Sequence, residues 1–154
     1  MITIGAYEVR INTPNGNQKA FLCPATTIWG LIRYSVFPFE DRKIVEIEHL
    51  EANPISTYQK HPRLVEPIGK WLIWYVAKLA LTRCSCADTD TLIILASVTD
   101  AVDYYRDAIK MDYLGNAPSA PGEDAYAFRF TREKATEFCD TQERECGIAS
   151  SFEC

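Results

Sequence analysis

Residues 63–81 read RLVEPIGKWLIWYVAKLAL, and the fold turns on whether this stretch is a membrane anchor, a buried helix, or a helix whose glycine start receives a phosphate. The apolar run from Ile68 to Leu81 is shorter than the roughly 20 residues a bilayer requires, and it carries Lys70 and Lys78. The reading is therefore a helix covered by protein. Ile68, Trp71, Leu72, Ile73, Trp74, Tyr75, Val76 and Leu79 leave it apolar on most sides, which predicts cover on more than one face.

The flanking segments say what covers it. From Lys43 to Ala52 the pattern has period two, with Ile44, Glu46 and Glu48 on one face and Val45, Ile47 and His49 on the other, so a strand is expected. Thr91–Ser97 is a continuous apolar run of strand length, suited to a central strand buried on both faces. Strand, helix, strand at this separation predicts a βαβ unit with two parallel strands. Upstream, the alternation of Ile2–Ile11, the turn Thr13-Pro14-Asn15-Gly16 and a return over Lys19–Cys23 predict a hairpin. Thr26 or Thr27 is expected to cap a short helix through Ile28, Leu31, Ile32 and Val36, ended by Pro38. Downstream, Thr99 or Asp100 is expected to cap a helix bearing Ala101, Tyr104, Tyr105, Ala108 and Ile109 on its apolar face. Gly115–Asp124 reads as a loop, Tyr126, Phe128 and Phe130 as a strand, and Thr131 as the cap of a closing helix ended by Gly147.

Length, 154 residues, predicts one domain with a full core. An apolar fraction of 47% and a charged fraction of 24% are those of a globular chain. The formal charge of −5 opposes counterion-release binding, which argues against a nucleic-acid partner. MITIGAYEVRINTPNG lacks the basic and apolar regions of a signal peptide, so the expected address is cytoplasmic and the six cysteines are expected to be thiols. Neither Cys84-Ser-Cys86 nor the Cys139–Cys146 spacing matches a zinc knuckle, and His49 and His61 form no ligand pair, so no metal is expected.

The helix start at Ile68-Gly69-Lys70 has the makings of an anion site: unpaired N–H groups, a positive dipole end, a residue without a side chain and an added charge. The order of a Glu-bearing strand, Pro62-Arg63, IGKWLIWYVAKLAL, an apolar strand and AVDYYRDAIKMDYLG resembles the GNAT superfamily of acyl-CoA-dependent N-acyltransferases over about residues 43–130. The resemblance implies a fold of the α+β (α/β) class: a mixed sheet around a central βαβ unit, helices on both faces, a shortened N-terminal part over 1–42 and an added C-terminal helix over 131–146. It also implies acetyl-CoA as co-substrate, with its pyrophosphate at Ile68, Gly69, Lys70 and Trp71 and Arg63 nearby. Pantetheine would enter between strands splaying from Val45–Ala52 and Leu92–Ser97. Tyr105 matches the family's proton donor, with Tyr104 its neighbour, and Glu46 or Glu48 matches the position of the base. The implied acceptor is an amine of a small molecule or protein.

Two residues depart from the family turn: Pro67 removes an N–H donor, and Glu66 places a negative charge where the pyrophosphate would lie. They support an alternative, a catalytically inactive GNAT-fold binding or inhibitor protein working through protein contacts. The aromatics Trp29, Tyr34, Phe37 and Phe39 would anchor such a partner or a homodimer. A thiol-based redox or metal protein is a third reading, the least favoured by the cysteine spacing.

Overall fold

The computed structural model describes residues 18–22, 30–52 and 68–146. They form strands β1 (Gln18–Leu22), β2 (Gly30–Phe39), β3 (Arg42–Ala52), β4 (Thr91–Val98), β5 (Asp112–Ala117) and β6 (Ala125–Thr131), with helices α1 (Ile68–Arg83) and α2 (Arg132–Cys146). One six-stranded sheet has the order β1-β2-β3-β4-β6-β5. β3 and β4 pair in parallel across the α1 crossover, and every other neighbouring pair is antiparallel. The βαβ unit read from the sequence is thus the centre of the sheet.

Register assigns the faces. Gly30, Ile32, Tyr34 and Val36 of β2 share a side with Val45 and Ile47 of β3, Ile93 and Leu95 of β4, and Phe130 and Phe128 of β6. On this side α1 buries Ile68, Leu72, Ile73, Val76, Ala77 and Ala80. It lies so close to β2 that a Cβ on Gly30 would stand 2.5 Å from Ile68 Cγ2, 2.9 Å from Leu72 Cδ1 and 3.0 Å from the Glu51 carbonyl oxygen. α2 packs on the same side, with the Phe138 ring 5.5 Å from Phe130 and Ala135 and Cys139 buried. Both described helices therefore lie on one face, and the expected second helical face is not among the described residues.

Several links hold α2 to α1. Arg132 donates to the carbonyls of Leu81 and Cys84 at 3.2 and 2.9 Å, satisfying acceptors that the end of α1 leaves open. Glu143 accepts from Trp74 Nε1 at 3.0 Å and pairs with Lys78 Nζ at 3.0 Å. Thr131 caps α2 as expected, its hydroxyl accepting from the Lys134 amide at 3.3 Å.

The structure corrects three expectations. The predicted helix through Leu31, Ile32 and Val36 is strand β2, because Ile32, Tyr34 and Val36 also alternate and tertiary pairing with β3 favours β-branched and aromatic residues there; its proposed caps lie outside the described residues. Lys19–Leu22 forms a strand as expected and pairs with β2, while the first strand and turn of the expected hairpin lie outside the described residues. The predicted loop Gly115–Asp124 begins inside β5, where Gly115 adopts φ 105° beside a register slip. The expected helix after β4 forms over Thr99–Ala108, but its N-cap is Val98 rather than Thr99 or Asp100, without a side-chain hydrogen bond, and only its first turn, Thr99–Ala101, is tight. It widens at its end: Ile109 N–H bonds to Tyr104 C=O and Met111 N–H to Tyr105 C=O, both at 3.0 Å, around Lys110 at φ 69°. Among the interface aromatics, Tyr34 is core rather than surface, whereas Phe39 is exposed.

Gly30→Ala should lower stability by roughly 1–3 kcal/mol, the usual cost of forcing extra volume into a close contact; an unchanged urea midpoint would mean that α1 does not lie so close to β2. Hydrogen bonding from Lys78 holds the Glu143 carboxyl below its ordinary range, and bonding to Glu143 raises Lys78. The stabilisation from Glu143 is fully present above the ordinary carboxyl pKa and fades as pH falls through the lowered value; that from Lys78 fades only above its own ordinary pKa of 10.5. Stability curves of the protein and Glu143→Gln should therefore lie apart at neutral pH and converge as pH falls below the ordinary carboxyl range; a gap that does not narrow in acid contradicts this ion pair.

Candidate active site

The pattern of β3 creates the site's main feature. Val45 and Ile47 face α1, but so does Leu50, whose Cδ2 lies 3.9 Å from the Cβ position of Gly69 in α1. Residues 47 and 50 are an odd number apart, so a regular strand could not place both on one face. A bulge resolves the conflict: Tyr34 opposes Ile47 and Arg33 opposes His49, leaving Glu48 as the extra residue.

Parallel pairing of β3 with β4 stops at the same place. Val45, Glu46 and Ile47 pair with Ile93, Ile94 and Leu95, and beyond them Glu48–Ala52 and Ala96–Val98 run on without pairing to each other. The strands part toward their C-terminal ends, where crevices in parallel sheets receive ligands. β3 leads from this opening toward α1, and β4 leads into the Thr99–Ala108 segment. Ala96 and Val98 are exposed at its edge, while Ser97 is buried and donates its hydroxyl to the Val98 carbonyl at 2.8 Å.

Tyr104 reaches from that segment to the start of α1. A Cβ on Gly69 would lie 2.6 Å from Tyr104 Oη and 3.5 Å from its Cζ, so a side chain there would have to displace the phenol where it meets the helix. Tyr105 packs beside it, the two rings edge-on at 5.3 Å, and is 8% exposed, with its own ring 5.7 Å from Phe128. Burial pushes the Tyr105 phenol up to about 12. Burial, and then the neighbouring Tyr105, raise that of Tyr104, so both phenols are protonated at neutral pH.

The remaining candidates are spread around the opening. The Ile68 side chain is core. Lys70 and Trp71 are half-buried, the indole of Trp71 packing edge-on against Trp74 at 5.3 Å, and Lys70 walls a groove of about 510 Å³ shared with Lys110 and one face of α2. Glu46 and Glu48 lie on the face away from the helices; Glu46 is in register with Ser35 and Ile94, and Glu48 pairs with Arg33, Nε to Oε2 2.7 Å. Arg63 lies outside the described residues. Sequence reasoning missed the Arg33 contact and the bulge, although the break in alternation between Ile47 and Leu50 is visible in the sequence. Cys84, Cys86 and Cys139 are free thiols, and the described residues hold no cluster of three metal-ligating side chains. Among them no helix is long and apolar enough to cross a membrane.

No protein-family model and no curated protein sequence matches the chain. Solved structures do. A Bacillus subtilis acetyltransferase in complex with CoA aligns over 77% of this chain and 78% of its own, at 12% identity and a TM-score of 0.50. A putative GNAT-family acetyltransferase from Desulfovibrio desulfuricans aligns over 75% and 69%, at 14% identity and a TM-score of 0.51. The chain has the GNAT fold. A mutant AtaT toxin bound to the C-terminus of the antitoxin AtaR is also similar, over 85% and 75% of the two chains at 16% identity and a TM-score of 0.50.

If Tyr104 Oη fills the space beside Gly69, Gly69→Ala should cost about 1 kcal/mol in spite of alanine's better helix propensity. In a Tyr104→Phe background, where the nearest atom becomes a ring carbon at ordinary contact distance, the same change should be neutral or stabilising by up to ~1 kcal/mol. Additive effects in this double-mutant cycle would place the phenol elsewhere.

Proposed function

We propose that the protein is an acyl-CoA-dependent N-acyltransferase that moves an acetyl group from acetyl-CoA to an amine of a small molecule or protein. The observation that carries this reading is the β3–β4 ladder, which stops after three residue pairs and opens beside the start of α1. A fully zipped ladder would leave no path for a pantetheine arm.

The residues present fit acetyl-CoA at the strand opening. At α1 the fit is narrower: Tyr104 occupies the side of Gly69, which leaves the end of the helix, with Lys70 beside it, for phosphate. Acetyl-CoA supplies an activated acyl carbon, whose C–S bond breaks as the new C–N bond forms. The chain's part is to place and stabilise. Backbone N–H groups of the unpaired Glu48–Ala52 edge are the donors available to a carbonyl oxygen gaining charge. Tyr104, rather than Tyr105, is the phenol at the opening. Its raised pKa lies above the ~8.5 of a thiol, so it donates a hydrogen bond to a leaving sulfur more readily than a whole proton. On this reading Glu46, on the opposite face, accepts the proton that an attacking ammonium must lose, and Glu48 can do so only on release from Arg33.

The contact of Tyr104 with Gly69, together with Pro67, favours the second reading, an inactive GNAT-fold module acting through protein contacts. Thermal unfolding with acetyl-CoA separates the two. At a hundredfold excess over its dissociation constant, a bound ligand adds about 2.7 kcal/mol, or roughly 5–10 °C in Tm for a chain of this size. No shift at millimolar acetyl-CoA would end the acyltransferase reading and leave the inactive module.

A further inference from the structure

His49 is the second residue of β3 past the last rung shared with β4, and it is in register with Arg33 of β2. Arg33 alternates with Ile32 and Tyr34, so the imidazole stands on the face away from α1, beside the strand opening. Across the gap, Ala96 and Val98 of β4 lie on the same face and are exposed. Glu51, two residues on, reaches the ring: His49 Nε2 and Glu51 Oε2 are 3.3 Å apart, and the side chains are 48% and 64% exposed. With Nε2–H donating to that carboxylate, Nδ1 keeps its lone pair and is open to an incoming molecule.

Three charged side chains face the imidazole. Arg33, directly across, is paired with Glu48 at 2.7 Å, so those two largely cancel and Glu51 remains. Position favours His49 over the two nearby carboxylates. Glu46 sits on a rung still paired with Ile94, short of the place where the strands part, and Glu48 is held by Arg33. His49 lies past the last rung and contacts a carboxylate rather than a cation. Chemistry favours it too: near neutrality an imidazole takes up a proton more readily than a carboxylate does, and gives it back as easily.

We propose that His49, oriented by Glu51, is a further catalytic residue, a general base for an amine that reaches the opening as its ammonium. This rests on the acyltransferase reading. A ring nitrogen of His49 takes one proton from the ammonium, and the freed amine adds to the acyl carbon. The C–S bond then breaks, the amine's second proton goes to the sulfur, and the imidazolium returns its proton to solvent. Glu51 touches neither amine nor thioester and is a positioning residue. The acceptor class that follows is a primary alkyl amine, cationic at neutral pH, whose stem lies along the exposed Val98.

The test uses acetyl-CoA with two acceptors: a lysine-bearing peptide, and the same peptide carrying a side-chain hydrazide, which is already unprotonated at neutral pH. CoA release is followed by chromatography for the unaltered protein, His49→Gln, Glu51→Gln and Glu46→Gln. His49→Gln should lower kcat/KM for the lysine peptide at least about tenfold more than for the hydrazide, since only the ammonium needs a base before attack. Glu51→Gln should show the same selectivity to a smaller extent, and added imidazole should partly restore His49→Ala on the lysine peptide. The Tm shift with acetyl-CoA should persist in each variant. Equal losses on the two acceptors would show a merely structural role and overturn the proposal, as would no loss at all. A selective loss in Glu46→Gln without one in His49→Gln assigns the base to Glu46 and overturns it as well. An acetyl-CoA shift without turnover on either acceptor puts no amine at this face and sinks this proposal alone. Neither shift nor turnover in the unaltered protein ends the acyltransferase reading and this proposal together.

Discussion

The need to place both Ile47 and Leu50 against α1 governs the centre of this molecule. Side chains of a strand alternate, so two apolar residues three apart cannot share a face unless the strand gains a residue. β3 gains it at Glu48, and the added twist of a bulge turns the rest of the strand away from β4. A packing requirement on one face of the sheet thus opens a gap between the one parallel pair among the described strands. The opening owes nothing to a missing residue or a weak strand: β3 stays paired with β2 as far as Ala52, and β4 with β6 as far as Val98.

Two glycines answer the closeness that this arrangement imposes. Gly30 lets α1 settle onto β2 with Ile68 and Leu72 directly over the backbone, and Gly69 lets Tyr104 meet the first turn of the same helix. The sequence suggested a ligand as the reason for Gly69, and the structure supplies a nearer one. An apolar helix such as α1 also needs cover on the side that the sheet leaves bare, and α2 provides it. The Glu143 contacts with Trp74 and Lys78 hold one end of that pairing and the Arg132 bonds to the last carbonyls of α1 hold the other. The C-terminal helix that the resemblance marked as an addition is therefore part of the cover over the core.

What was legible in the sequence was whatever local pattern alone determines. α1 could be read from an apolar run too long for a strand, β4 from an apolar run of strand length, and the cap of α2 from Thr131. Where two periods fitted the same residues, the sequence could not choose: Leu31, Ile32 and Val36 suit a helix, Ile32, Tyr34 and Val36 suit a strand, and only the partner β3 decides. Lys110 shows a second limit. The chain takes a left-handed turn there without the glycine that normally announces one, so the early end of the segment after β4 carried no sequence signal. The site was half legible for the same reason. Glycine, tyrosine and glutamate could be named from their order along the chain, but which of two adjacent tyrosines faces the opening depends on how that short segment ends.

The widened turn at Ile109 and Met111 settles that choice. A regular helix places consecutive side chains about 100° apart, so one of Tyr104 and Tyr105 must point inward and the other sideways. With the turn closing onto the carbonyls of both tyrosines, Tyr105 is held over Phe128 and Tyr104 is left spanning the gap toward Gly69. Tyr105 serves the core, and Tyr104, packed edge-on against it, meets the first turn of α1 at Gly69. The glutamates show the same division of labour. Ile47 and Leu50 face α1, which leaves Glu46 and Glu48 on the far side of the sheet, so a phenol and two carboxylates lie on opposite faces of one strand opening. In the proposed reaction a thioester threaded through that opening would have its sulfur and its attacking amine on different sides of the sheet. The amine would add to one face of the thioester carbonyl and the sulfur would leave from the tetrahedral adduct, so the step depends on backbone donors that hold the oxygen while the C–N bond forms and the C–S bond then breaks.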